Sequence, residues 1–454
     1  MRARAEKRPA WLSHGVGDSG VESYRERLER VVLNPLKQTD KGWYALVLFH
    51  GAIVAWGFYA YIVQLRYGLI TTGMRDQVIW GLYITNFVFF IGISHAGTLI
   101  SAILRVSNAG WRTPVTRMAE MITVVALMVG AVQPVIDMGR PDRVLNMIFF
   151  GRFQSPLMWD IMAITSYLTG SLIYFYLPTI PDFALMRDRL GAGASSIRRK
   201  IYTFLGVGWK GTPQQHKRLE KAIGIMAITI IPIAVSVHTV VSFIFSMTLR
   251  PGWDSTVFGI YFVIGAIFSG IATIIILMVI FRKFHHLEEY LTERHFRNLG
   301  WLLLVSLILY TYLTFSEYLT VAYKMEVEEK HLFEILMQGT NALWFWIFVV
   351  AGLVVPAFLI ILRRGPTIPM ILIAAVLVNI GMWIKRFVIV VPTLEVPLMP
   401  YEFGSYTPTW VEVSITAGTF AAFILILAIF AKVVPLISIW EVAEEAERGE
   451  GQGE

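Results

Sequence analysis

Phe90-Ile91-Gly92-Ile93-Ser94-His95-Ala96-Gly97 lies within an apolar run from about 78 to 104, and Val263-Ile264-Gly265-Ala266-Ile267-Phe268-Ser269-Gly270 lies within another from about 257 to 281. The two octets superimpose with both glycines in register. Each run has the roughly 20 residues that a helix needs to cross a bilayer. A repeat that recurs after four such runs keeps its direction through the membrane, so the pattern predicts two parallel four-helix bundles. Gly92 with Ala96, and Gly265 with Ser269, are small residues four apart that let helices approach closely. Packing alone explains these glycines as well as a functional role does. The halves differ chemically at one position, where His95 of the first is matched by Phe268 of the second.

Beyond these two runs, the same reading gives ten spans in all: 43 to 64, 78 to 104, 116 to 136, 157 to 178, 222 to 248, 257 to 281, 299 to 323, 341 to 362, 367 to 392 and 411 to 437. The fold class is therefore an all-α polytopic membrane protein, two parallel four-helix bundles plus two flanking helices. The chain divides into a tail (1–42), a flanking helix and loop (43–77), a first bundle (78–249), a second bundle (250–393), a loop and last helix (394–440) and an acidic tail (441–454). No short apolar segment with a small-residue cleavage site precedes Trp43, so no cleaved secretion signal is expected.

Composition agrees. Of 454 residues only 16% are charged, against about 25% in soluble proteins, while 56% are hydrophobic and 13% aromatic. The mean hydropathy is +0.61. These values exclude a soluble enzyme, a disordered scaffold and a nucleic-acid-binding domain. The absence of Cys excludes disulfides, thiolate zinc sites, iron–sulfur ligation by this chain and covalent haem through C-x-x-C-H. With the N-terminus inside, most Lys and Arg fall on the cytoplasmic side, against 8 on the other. The positive-inside rule then places both termini in the cytoplasm. The net charge of +7 is explained by anionic lipid and topology, not by a nucleic acid.

An ionisable side chain within the hydrocarbon costs a few kcal/mol, about 2.5–3.5 on insertion scales, so each needs a partner, water or a task. The first half carries His50, His95, Asp137, Arg140, Asp160 and His238; the second carries Glu317, Lys385 and Arg386, with Asp254 just beyond the fifth span. The alternating direction of the spans puts Asp137, Arg140, Asp160, Asp254, Glu317, Lys385 and Arg386 near their outer ends. Snorkelling to the interface explains Glu317 and Lys385 equally well. Asp137 and Asp160 are too short to snorkel far. Asp137 and Arg140, three apart, are expected to share a helix face and neutralise one another. Two imidazoles across an apolar gap also hold a b-type haem, but a buried His satisfied by a hydroxyl or carbonyl is the commoner outcome. A carboxylate and an imidazole near one end of a bundle suit deprotonation of a dihydroxy aromatic such as quinol; they also suit a proton-coupled transporter.

Asp137-Met138-Gly139-Arg140-Pro141-Asp142-Arg143, followed by Ser155-Pro156-Leu157-Met158-Trp159, resembles the D-x-G-R-P…S-P-x-x-W signature of the NrfD/polysulfide reductase (PsrC-like) membrane-subunit family. Ser236-Val237-His238-Thr239, Pro251-Gly252-Trp253, the run 261–270 and Asn379-Ile380-Gly381-Met382-Trp383 are similar to the ActC-type subunits of bacterial alternative complex III within it. The resemblance covers residues 43 to 437. It departs at Asp254, where the family pattern has His, and at Lys385, where it has Glu.

The resemblance implies an inner-membrane enzyme subunit without haem or iron–sulfur clusters of its own. It implies oxidation of menaquinol or ubiquinol near the periplasmic face, with electrons passed to a periplasmic iron–sulfur subunit and on to c-type haem subunits, beside a second NrfD-like membrane subunit. Proton translocation is a further role it allows. Asp160 and Asp137 are the first expected proton acceptors. His95, His238 and Asp254 are expected to bond the headgroup or lead the proton away. Arg140, Phe90, Trp159, Trp253 and Arg386 are expected around the quinone, with no metal ligands. The alternatives are an ion- or proton-coupled secondary transporter and the paralogous structural NrfD-like subunit.

Overall fold

The computed structural model describes residues 24–37, 39–190, 196–248, 250–362 and 366–450. The extreme ends of both expected tails lie outside the described residues. Among the described residues all regular structure is helical, and ten helices are long and apolar enough to cross a membrane. In chain order they are α1 (Lys41–Tyr67), α2 (Leu82–Val106), α3 (Thr113–Asp137), α4 (Pro156–Leu190), α5 (Pro213–Ser246), α6 (Phe258–Phe284), α7 (Glu293–Lys324), α8 (Ala342–Ile361), α9 (Ile368–Glu395) and α10 (Trp410–Val433). Every expected span is present.

Several helices outrun the hydrocarbon, and their ends have local causes. Helix α5 starts nine residues before the expected 222, because Thr212 and Gln215 form a capping box around Pro213. Helix α4 continues through Pro178 and Pro181. The Pro178 carbonyl accepts from Arg117 and from the Trp440 indole, both at 2.9 Å. Helix α8 widens into a π-helical stretch, Phe348–Val354, just before Pro356, which has no N–H to continue the regular ladder. That stretch sets Gly352 against Gly381 of α9 with no room for a Cβ on either.

Helices α2 to α5 pack as one bundle and α6 to α9 as a second, while α1 and α10 pair with each other and lie against α3. The first helix of each repeat meets the other at the centre: α2 packs on α6, and α9 also reaches α2. Every residue of α2 from Leu82 to Ala102 is buried, which matches a segment apolar on all sides. The matched glycines are used differently. A Cβ at Gly97 would strike the Ala119 carbonyl of α3, inside its own bundle, whereas one at Gly270 would strike Ala96 of α2, across the bundle boundary.

Candidate functional site

The end of the bundle at which α3 stops and α4 starts, here termed the Asp137 face, is shaped by the motif around Asp137. Pro134 weakens the last turns of α3, and Gly139 adopts a φ of +66°, reversing the chain. A Cβ there would lie 2.8 Å from Leu69, so glycine is required on both counts. Asp137 is the last helical residue, and one of its carboxylate oxygens is buried without a hydrogen-bond partner among the described residues. Its charged neighbour is Glu412 of α10.

Arg140 does not reach it. The left-handed turn at Gly139 takes Arg140 out of the helix, so the expected shared face does not exist, and the guanidinium instead grips exposed Asp142 at 2.8 and 2.9 Å. That hydrogen bond holds the Asp142 carboxyl below the usual aspartate range. The expected neutralisation of Asp137 by Arg140 is thus corrected.

Asp160 lies one turn into α4, 9% exposed, and also has an oxygen without a partner among the described residues. The indole N–H of neighbouring Trp159 donates to the Phe153 carbonyl at 2.6 Å, tying the preceding loop to the helix. No hydrogen bond or ion pair joins Asp160 to Asp137 among the described residues, and the ionisable groups near Asp137 are Glu412 of α10 and Tyr83 of α2.

His95 and His238 are fully buried and deeper. His238 is eight residues, about 12 Å of helix, from the end of α5. The two rings lie with centroids 4.0 Å apart. His95 is held by the carbonyls of Ile91 and Ala234, while neither nitrogen of His238 has a partner among the described residues. Rings in direct contact leave no space for a macrocycle between them. Beyond His95, the Tyr167 hydroxyl donates to the Ser94 carbonyl at 3.0 Å, and Ser101 lies between Tyr174 (3.2 Å) and Glu120 (2.6 Å).

The other expected residues fall elsewhere. Trp253 is buried, donates to the Ile389 carbonyl at 2.7 Å and stacks on Trp80. Phe90 packs on Phe420 and Phe423 of α10. Asp254 is exposed and acts on Glu317 and Glu329 at the mouth of the second bundle. Burial and Asp254 push the Glu329 carboxyl up. Lys385 and Arg386 do not snorkel: they are 2% and 1% exposed. Lys385 donates to the Tyr318 hydroxyl at 2.7 Å, beside a cavity of about 30 Å³ that Glu317 also lines, room for roughly one water. Arg386 lies over Phe262 at 5.0 Å, and both terminal nitrogens lack partners among the described residues.

Sequence reasoning missed the uncharged and capping residues that frame Asp137. Tyr83 donates to Gln64 at 2.6 Å, and Gln64 donates to the Ile136 carbonyl at 2.8 Å. Glu412 accepts from the Gly73 and Thr409 backbone and from Tyr406, whose hydroxyl in turn accepts from the Leu82 N–H. The capping-box spacing of Thr409 and Glu412 was the available signal. At the opposite face, buried Arg117 and Asp182 pair at 3.0 Å and Arg105 pairs with Glu441 at 2.9 Å.

Fold and site define a multi-pass integral membrane protein with unsatisfied acid and base groups inside its helix bundles. The family described as polysulphide reductase, NrfD, matches residues 70–397, and the chain belongs to it. It is 26% identical over 436 residues to a putative dimethyl sulfoxide reductase membrane subunit of Halobacterium salinarum, covering 90% of this chain and 94% of that one. It is 26% identical to a selenate reductase subunit of Mesobacillus selenatarsenatis, covering 88% and 95%. It is 23% identical to the Hdr-like menaquinol oxidoreductase integral membrane subunit of Archaeoglobus fulgidus, covering 89% and 96%.

Proposed function

We propose that this chain is the quinol-oxidising membrane subunit of a multi-subunit oxidoreductase of the alternative complex III type. Its substrate is menaquinol or ubiquinol, bound near the periplasmic face of a bacterial inner membrane. The observation that carries the reading is the pair of membrane-embedded aspartates at the same face, Asp160 and Asp137, each with a buried oxygen lacking a donor among the described residues. A buried acceptor without a donor is costly, and a quinol hydroxyl is a lipid-borne donor that satisfies it.

In this reading the quinol supplies two electrons and two protons. Asp160, in the bundle of α2 to α5, binds a hydroxyl and takes its proton; Asp137 is the second acceptor. Electrons leave to a periplasmic iron–sulfur subunit and then to c-type haem subunits, since the sequence has no Cys to ligate an iron–sulfur cluster or attach a haem covalently. The basic residues concentrated on the side opposite Asp137 support this orientation. His238, His95, Tyr167, Ser101, Tyr174 and Glu120 supply a succession of polar groups toward that side, which supports proton translocation. The transporter alternative draws on unwound helices at mid-membrane; here the π-helical turns of α8 leave the helix unbroken.

The test is purification of the complex and comparison of wild type with Asp160→Asn. Loss of quinol-driven acceptor reduction with intact assembly supports the reading. Purification without any redox partner, or full activity in Asp160→Asn, overturns it.

A further inference from the structure

A groove of about 410 Å³ lies between α1, α3 and α10, outside the bundle that holds Asp160. Phe58, Met128 and Val132, which line it, are 62%, 42% and 50% exposed, so it opens sideways from the helices, toward lipid. Its walls are apolar apart from Gln133, Thr419 and Tyr61.

Gln133 is 1% exposed. Its amide nitrogen donates to the Val129 carbonyl and the Thr419 hydroxyl, each at 3.3 Å, and Thr419 donates onward to the Ile415 carbonyl at 2.9 Å. The amide oxygen of Gln133 has no partner among the described residues. An apolar groove whose wall holds a buried acceptor without a donor fits an amphiphile whose head donates a hydrogen bond.

Charge narrows the class. Among the described residues no Lys or Arg lines the groove, so a phosphate head finds no counter-charge there. A neutral hydroxyl head on a long apolar tail is the match. An oxidised quinone, which only accepts hydrogen bonds, can take one from Tyr61 but leaves the Gln133 oxygen bare.

We infer that the groove is a second lipid-carrier site, held by the Gln133 amide oxygen, that takes a hydroquinone-headed isoprenoid in preference to its oxidised form. This rests on the quinol reading above and gives the reduced carrier a place between α1, α3 and α10, distinct from the one at Asp160.

The test uses the intact complex in phosphatidylcholine nanodiscs and equilibrium binding of tritiated decylhydroquinone and decylquinone. Three variants are compared with wild type: Gln133→Leu, Ala422→Phe, which adds a ring at a residue that lines the groove, and Asp160→Asn. Wild type is expected to hold one more equivalent of hydroquinone than of quinone. Ala422→Phe loses that equivalent, Gln133→Leu weakens it about three- to tenfold, the range of one neutral hydrogen bond, and Asp160→Asn keeps it. Hydroquinone binding that both groove variants leave unchanged, but Asp160→Asn removes, overturns the groove site and leaves the quinol reading standing. Absence of hydroquinone binding in wild type overturns both. Groove variants that release a neighbouring membrane protein of the complex, with binding unchanged, assign the groove to that neighbour instead.

Discussion

The guanidinium of Arg386 occupies the space that a side chain at Gly265 would need: a Cβ at position 265 would lie 2.8 Å from Arg386 Nη2. The matched glycine of the other repeat, Gly92, faces the same nitrogen, at 3.9 Å from its own would-be Cβ. The repeated glycines thus make room at the bundle boundary for a buried cation with no carboxylate within 4 Å among the described residues.

Arg386→Met is therefore expected to raise the thermal midpoint in detergent, because an uncompensated buried charge is replaced by a side chain of similar length. A lower midpoint would mean that Arg386 has a partner in the assembled protein. Gly265→Ala is expected to lower the midpoint, and less so in the Arg386→Met background, a non-additivity that a double-mutant cycle reads directly.

Gly139→Ala combines a left-handed φ of +66° with a close approach to Leu69. A cost of about 1–2 kcal/mol from the backbone alone is expected, with more from the contact. Thermal unfolding measures it, and quinol-driven activity should fall as the end of α3 shifts Asp137.

Arg140→Gln should leave both the thermal midpoint and the activity near wild type, since its bond to Asp142 is fully exposed. A large loss of activity would restore Arg140 to the site and contradict the observed pairing.

Tyr406→Phe removes the donor to buried Glu412 and the acceptor for the Leu82 N–H. Leaving such groups unpaired costs about 1–3 kcal/mol each. Denaturant or thermal unfolding should report the sum for the two groups, about 2–6 kcal/mol.

His285, just past the end of α6, is pushed down to about 4 by burial and then by Lys432. A folded value below the ordinary 6.5 means that the unfolded chain binds the proton first. Stability should therefore fall as pH drops from about 6.5 to about 4, by roughly 3 kcal/mol for a shift of this size. His285→Gln should flatten the midpoint-against-pH profile across that window.

Removing the acceptor at Asp160 should lower quinol-driven turnover by about 10²–10⁴, the range of a lost general base, without a change in assembly. Equal losses in Asp137→Asn and Asp160→Asn would place the two acids in one proton route.

Ten spans, two bundles and the membrane character were legible in the chain alone, because bilayer hydrocarbon imposes helix length and apolarity on each segment separately. Asp137, Asp160, His95 and His238 were legible as costly residues for the same reason: burial cost in lipid is read one residue at a time. Their company was not. Helix-face arithmetic put Arg140 beside Asp137, yet a single left-handed glycine sent it to Asp142. The contact of His95 with His238, the framing of Asp137 by Gln64, Tyr83 and Glu412, and the place made for Arg386 by Gly265 all join residues from distant helices. Periodicity within one helix carries no information on which face another helix will meet, and that choice rests on packing of the whole bundle.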